Sequence, residues 1–231
     1  PISIQRRVFE KIPVTLQLGV MSIGVGLLIA MPVGIYSAMR QDTAADYGGR
    51  TLAIIGMATP NFWLGMMVMI YPAIWWGWSP PMEYMPITEN PGHNLRMLII
   101  PSLVLGTGMA ASTMRLTRTM MLESLRQDYV RTAWSKGLTE RVIVFRHVVK
   151  NALIPVITAI GMQLPIVIGG SVIVESIFNL PGLGRYALDA LIERDYPVIA
   201  GVNLVFAVVV VGSNLLIDLV YPYLDPRVRY S

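Results

Sequence analysis

Between Val14 and Met39 the chain carries no charged side chain. A bilayer core needs about 20 predominantly apolar residues to be crossed by one helix. In hydrocarbon every backbone N–H and C=O must be satisfied internally, so the segment is read as a helix. Gly19, Gly24, Gly26, Pro32 and Gly34 would be poor choices in a soluble helix. In a membrane they permit close helix approach and local bending. Similar runs recur at about 51–78, 97–114, 151–174 and 198–222. The expected fold is all-α: a polytopic membrane helical bundle of about five spans, forming one domain over 1–231. Only 14% of the residues are charged and 54% are hydrophobic, against about a quarter charged in a soluble domain.

The segments between the runs set the rest. Residues 1–13, PISIQRRVFEKIP, are basic and amphipathic and suit a short interfacial helix ending at Pro13. Arg40 to Arg50 reads as a short polar loop. Span two ends in Tyr71, Trp75, Trp76 and Trp78, an interfacial aromatic belt. A Pro-rich loop, Ser79 to Arg96, follows; Glu83, Glu89 and His93 in it read as solvated residues. Span three is expected to run on as helix past the membrane surface, through Arg115, Arg118 and Glu123. Between spans four and five, Leu183 to Glu193 has helical periodicity, with Leu183, Ala187 and Leu191, joined by Tyr186 and Ala190, on one face. It is too short and too polar to span, so it reads as an interfacial helix.

The longest polar interval is DYVRTAWSKGLTERVIVFRHVVKNALIP, from Asp128 to Pro155, most of which lies in the loop 115–150. Lys and Arg collect on the cytoplasmic side of membrane proteins. One set of alternating loops holds Arg40, Arg50, the basic residues from Arg115 to Lys150, Arg227 and Arg229. The other holds Arg6, Arg7, Lys11, Arg96, Arg185 and Arg194. The richer set is assigned to the cytoplasm, which puts the C-terminus inside. Five spans then place the basic N-terminal segment outside, and a further span before Pro1 in the full protein resolves that conflict. The net charge of +4 follows from this loop pattern and does not indicate nucleic acid.

Catalytic signals are sparse. The sequence has no Gly-rich phosphate loop with a following Lys and Ser/Thr, no HExxH, and no cysteine. No catalytic residue and no metal ligand is assigned. Ser102, Ser112 and Ser171 are read as helix-packing serines. Of the ionisable residues only Asp218 falls within an assigned span, near the cytoplasmic end of span five. An ion-coupled carrier usually needs more buried polar machinery. Energy is therefore expected from a partner, through the polar loop. An ion-coupled carrier or channel is the rival reading, and a membrane enzyme or scaffold a further one.

The loop run DYVRTAWSKGLTERVIVFRHVVKNALIPV resembles the cytoplasmic loop of binding-protein-dependent ABC transporter permeases. More narrowly it is similar to the B-type permease of the dipeptide, oligopeptide and nickel importers. IPVTLQLG (Ile12 to Gly19), TPNFWLG (Thr59 to Gly65), IFNLPGLGR (Ile177 to Arg185), DYPV (Asp195 to Val198) and LDPRVRY (Leu224 to Tyr230) agree, in order. The general loop signature is Glu-Ala-Ala, then Gly, then Ile-x-Leu-Pro. Here Arg131, Thr132 and Ala133 replace Glu-Ala-Ala, and Gly137 matches. His147, Val148, Val149 and Lys150 stand at the last positions, with the proline later, at Pro155. No role resting on the Glu carboxylate is carried over.

The resemblance implies a permease subunit that hydrolyses no ATP itself. It implies pairing with a second permease, docking on two cytoplasmic ATPases that hold ATP and Mg, and an extracytoplasmic solute-binding protein. It implies residence in the prokaryotic cytoplasmic membrane. The solute class is peptides, with nickel, haem or glutathione as alternatives within the family. Gln127 to Lys136 suits a helix of about 15 Å, and Gly137 suits its stop. The ATPase-coupling residues are expected to be Arg131, Thr132, Ala133, Trp134, Ser135, Lys136, Gly137 and Leu138. Arg141, Arg146 and Lys150 are read as membrane-surface charges. Pro181, Gly182, Leu183, Gly184 and Arg185 are candidates for an extracytoplasmic gate.

Overall fold

The computed structural model describes residues 4–81 and 83–224, and those residues contain no strand. The elements are α1 (Ile4–Met39), α2 (Ala44–Ala58), α3 (Asn61–Trp76), α4 (Pro91–Leu125), α5 (Asp128–Ser135), α6 (Glu140–Val142), a π-helical segment (Ile143–Val148), α7 (Val149–Ile177), α8 (Leu183–Glu193) and α9 (Tyr196–Leu224). Among the described residues, four helices are long and apolar enough to cross a membrane, or five if the bent α2–α3 pair is one span. This agrees with the expected all-α bundle. Asp218 falls within α9, but its side chain lies outside the described residues.

Chain direction gives the bundle two ends. The α1–α2 turn, the last turns of α4, α5 and the π segment share one end. Residues 77–81 and 83–90, the start of α1 and α8 share the other. α1 lies along α4, and α4 packs on α7. Small residues set the α1–α4 spacing: a methyl group placed on Gly106 would lie 2.7 Å from the Ser22 carbonyl oxygen. Without a hydrophobic drive between helices in lipid, such close backbone packing is a main source of association.

Four sequence expectations are corrected. The N-terminal residues do not form a separate helix ending at Pro13; α1 runs unbroken through Pro13 and Pro32. Val8 is buried with Leu183, Ala190, Val198 and Val202, and Ile12 packs on the same cluster. These contacts carry the helix through a residue that removes one backbone bond. Span two is not a single helix either. α2 and α3 meet at a 94° bend. Pro60 disfavours helical backbone at the residue before it, and Thr59 is extended, at φ −85° and ψ 117°. The Arg40–Arg50 interval is largely helix, since α2 starts at Ala44 behind the Thr43 cap.

The fourth correction concerns α8, whose ends match the expected Leu183 and Glu193. Leu183 and Ala190 are buried, with Tyr186 and Ala187 packed beside them. Leu191, expected on that face, is 61% exposed. At 3.6 residues per turn it has rotated about 80° from Leu183. The π segment interrupts the helix that leads into α7. It turns Ile143, Val144 and Val148 inward and leaves Phe145 outside. Such bulges often mark functional positions in helices.

Candidate functional site

α5 is short and two-sided. Val130 and Ala133 are buried, in a cluster with Ala38, Met121, Ile143, Val144, Val148 and Ala152. That cluster joins α5 to α1, α4, the π segment and the first turn of α7. The opposite face is open: Arg131, Thr132, Trp134, Ser135, Lys136, Gly137 and Leu138 are all exposed. Trp134, a large amphipathic ring, is 49% exposed. Of the eight expected coupling residues, only Ala133 points inward. It fixes the helix to the bundle while its neighbours face out.

The end of α5 follows from Gly137. Its φ is +75°, a left-handed conformation that costs a residue with a Cβ roughly 1–2 kcal/mol. The Gly137 N–H donates to the Trp134 carbonyl (2.9 Å) and the Leu138 N–H to the Ala133 carbonyl (3.4 Å). This pair of bonds is the Schellman motif, which satisfies the last carbonyls of a helix. A Cβ on Gly137 would meet nothing within 4 Å, so backbone conformation rather than space calls for glycine. The chain then turns sharply and presents Leu138. The Arg131–Asp128 pair is 3.6 Å apart with both side chains open to solvent, and such pairs contribute little.

Above α5, three helices are tied by a carboxylate that the sequence reading left in a loop. Asp46, at the start of α2, is 0% exposed. Arg118 of α4 grips it through two bonds, Nε to Oδ1 and Nη2 to Oδ2, both 2.7 Å. Ser37 of α1 donates to Oδ1, and the Asp42 N–H donates to Oδ2 at 3.1 Å. Arg50 adds a contact at 3.4 Å. Two-pronged Arg–carboxylate pairs are among the strongest polar contacts. This one links α1 and α2 to the helix that runs directly into α5.

The other end of the bundle holds a second buried carboxylate, and here too a sequence expectation is corrected. The spans are not free of ionisable groups apart from Asp218: Glu175 lies inside α7 and is 0% exposed. Thr15 of α1 donates to it (2.7 Å), as does Ser171 (3.0 Å). Ser171 is thus more than a packing serine, while Ser112 donates only to the Met109 carbonyl. The Arg185 N–H donates to Glu175 Oε2 (3.0 Å), and the Leu183 N–H to Thr15 Oγ1 (2.8 Å). The five candidate gate residues Pro181 to Arg185 thus form the turn and first helical residues wrapped around this carboxylate. Beside them a cavity of about 540 Å³ is lined by Arg7, Lys11, Tyr84 and Tyr186, among others. Burial pushes the Tyr84 phenol above its usual range, against a lesser opposite pull from Asn94.

The described residues thus form a helical bundle with α5 fixed at one end, its opposite face open, and α8 clasped to Glu175 at the other. Residues 30–230 match the family of binding-protein-dependent transport system inner membrane components. The chain belongs to that family and is a multi-pass membrane protein. It is 41% identical to the oligopeptide transport system permease protein AppB of Bacillus subtilis, over 96% of this chain and 71% of that one. It is 36% identical to the dipeptide transport system permease protein DppB of Escherichia coli, over 94% of this chain and 71% of that one. Among solved structures it resembles a chain of the MetNI methionine ABC transporter in inward-facing form. There the TM-score is 0.75 at 16% identity, over 94% of this chain and 96% of that one. An amino acid ABC transporter chain gives a TM-score of 0.74 at 14% identity, over 95% and 94%.

Proposed function

We propose that this chain is the permease subunit of an ATP-driven importer that carries oligopeptides or dipeptides across the prokaryotic cytoplasmic membrane. The open face of α5, held to the spans through Val130 and Ala133, is the observation that carries the reading. In this account the whole chain works as one permease domain beside a second, homologous permease. Two cytoplasmic ATPases bind ATP and Mg, and their closure is received by Arg131 to Leu138. An extracytoplasmic binding protein delivers the solute, and the turn Pro181 to Arg185 gates its entry. The C-terminus lies on the ATPase side. The names of the relatives support peptides over nickel, haem or glutathione as the solute.

A large, half-open aromatic ring is the expected anchor of such an interface. Trp134→Ala is expected to leave α5 folded, since its packing face is Val130 and Ala133. It should weaken ATPase docking by about 30-fold, the equivalent of about 2 kcal/mol. Retention of the ATPases on the purified permease, measured against ATPase concentration, checks this. An unchanged titration would remove Trp134 from the interface. A carrier acting alone would transport with no ATPase present.

A further inference from the structure

We propose that Glu175 is a positioning residue that makes the outer helix α8 move as one body with α7. The inference rests on the reading of α5 as the ATPase seat. α7 is continuous from Val149 to Ile177. At one end α5 packs on the π segment that leads into α7, through Ile143, Val144 and Val148, with Ala152 of α7 in the same cluster, and the outer end of α7 carries Glu175. Motion imposed on α5 thus has a path through the π segment and α7 to the outer surface, provided α8 is fastened there.

Glu175 is the fastening. The first turn of a helix has N–H groups without helical partners and the positive end of the helix dipole. In α8 the Arg185 N–H ends on the Glu175 carboxylate and the Leu183 N–H on Thr15 Oγ1, whose own proton goes to Glu175 Oε1. The turn is shaped to the carboxylate. A methyl group on Gly182 would come within 2.3 Å of Glu175 Oε2, and one on Gly184 within 2.6 Å of the Val172 Cα. Only residues without a Cβ allow the turn to close this tightly. Thr15 brings α1 into the same cluster, so one buried side chain holds α1, α7 and α8. A glutamine at 175 would put an NH2 donor where several donors converge, and at least one of them would lose its acceptor.

The test uses the complete transporter, with its ATPases and binding protein, in proteoliposomes. The chain has no cysteine, so spin labels at Ile173→Cys on α7 and Leu191→Cys on α8, both on exposed side chains, report one distance. In the otherwise unaltered transporter that distance is expected to stay the same between nucleotide-free and ATP-bound states. Glu175→Gln should broaden it and lower peptide uptake at least tenfold while ATP hydrolysis stays within twofold. Thr15→Val, which removes the bond to Glu175 and the bond from the Leu183 N–H but no charge, should fall between, and Thr15→Ser should restore uptake. An α7–α8 distance that changes with ATP in the unaltered transporter overturns the proposal without reference to any variant. So does normal uptake with a single distance in Glu175→Gln. Failure of the ATPases to bind α5 at all would overturn the docking reading instead, and is seen separately in the Trp134→Ala titration.

Discussion

Arg118→Ala is expected to lower the stability of the folded chain by about 3 kcal/mol, because it leaves the Asp46 carboxylate buried without its main partner. Asp46 is fully buried, and Arg118 holds both of its carboxylate oxygens, each at 2.7 Å. Arg50, at 3.4 Å and partly exposed, compensates only in part. Breaking a buried pair from one side is costly, whereas replacing both members by apolar residues is often neutral or better. Asp46→Leu with Arg118→Met should therefore recover most of the loss in a thermal unfolding series in detergent. The two-residue variant separates structure from mechanism. If it is stable but transports poorly, the pair also serves to carry α4 movement to α1 and α2. If Arg118→Ala unfolds at the same temperature as the parent, the ion pair is not a structural tie.

Gly137→Val is expected to reduce solute uptake roughly five- to thirtyfold while leaving the chain inserted in the membrane. Space is not the issue, since a Cβ there meets nothing within 4 Å. The issue is φ at +75°, which a β-branched residue strongly disfavours. In the free subunit the end of α5 can unwind to relieve the strain. In a docked complex it cannot, so the strain falls on docking. A cost of 1–2 kcal/mol there corresponds to a loss of roughly five- to thirtyfold. Asn tolerates the left-handed region better than other residues with a Cβ, so Gly137→Asn should retain most of the uptake. Equal uptake by the Val and Asn variants would mean that the turn is not under conformational control.

Local signals in the sequence served well. The charge-free runs, the helix ending before Gly137 and the periodic stretch Leu183–Glu193 each announce themselves within a few residues. What escaped depends on distance or on context. The Asp46–Arg118 pair joins residues 72 apart in sequence, and nothing in either neighbourhood names the other. The α2–α3 bend did have a signal, the Thr59–Pro60 step, but the apolar run passes through it unbroken and hydropathy alone reads one span. Glu175 was misplaced because it opens the segment ESIFNLPGLGR, which as a string looks like the start of a loop. Its clue was the pair of glycines at 182 and 184, which serve a backbone packed closely around another group. Pro13 misled in the other direction: a proline that would end a soluble helix is carried through by tertiary contacts to Val8 and Ile12.

The central claim is that the open face of α5 seats an ATPase, and a single introduced cysteine tests it most directly. Ser135 is exposed and its hydroxyl bonds only its own helix, to the Arg131 carbonyl. Ser135→Cys can therefore be labelled in inverted vesicles with a membrane-impermeant maleimide, with Phe145→Cys as an exposed control outside α5. The account predicts that adding the cognate ATPases slows labelling at 135 at least tenfold and leaves 145 within twofold. Equal labelling of Ser135→Cys with and without bound ATPases, under conditions where peptide uptake is intact, would contradict it.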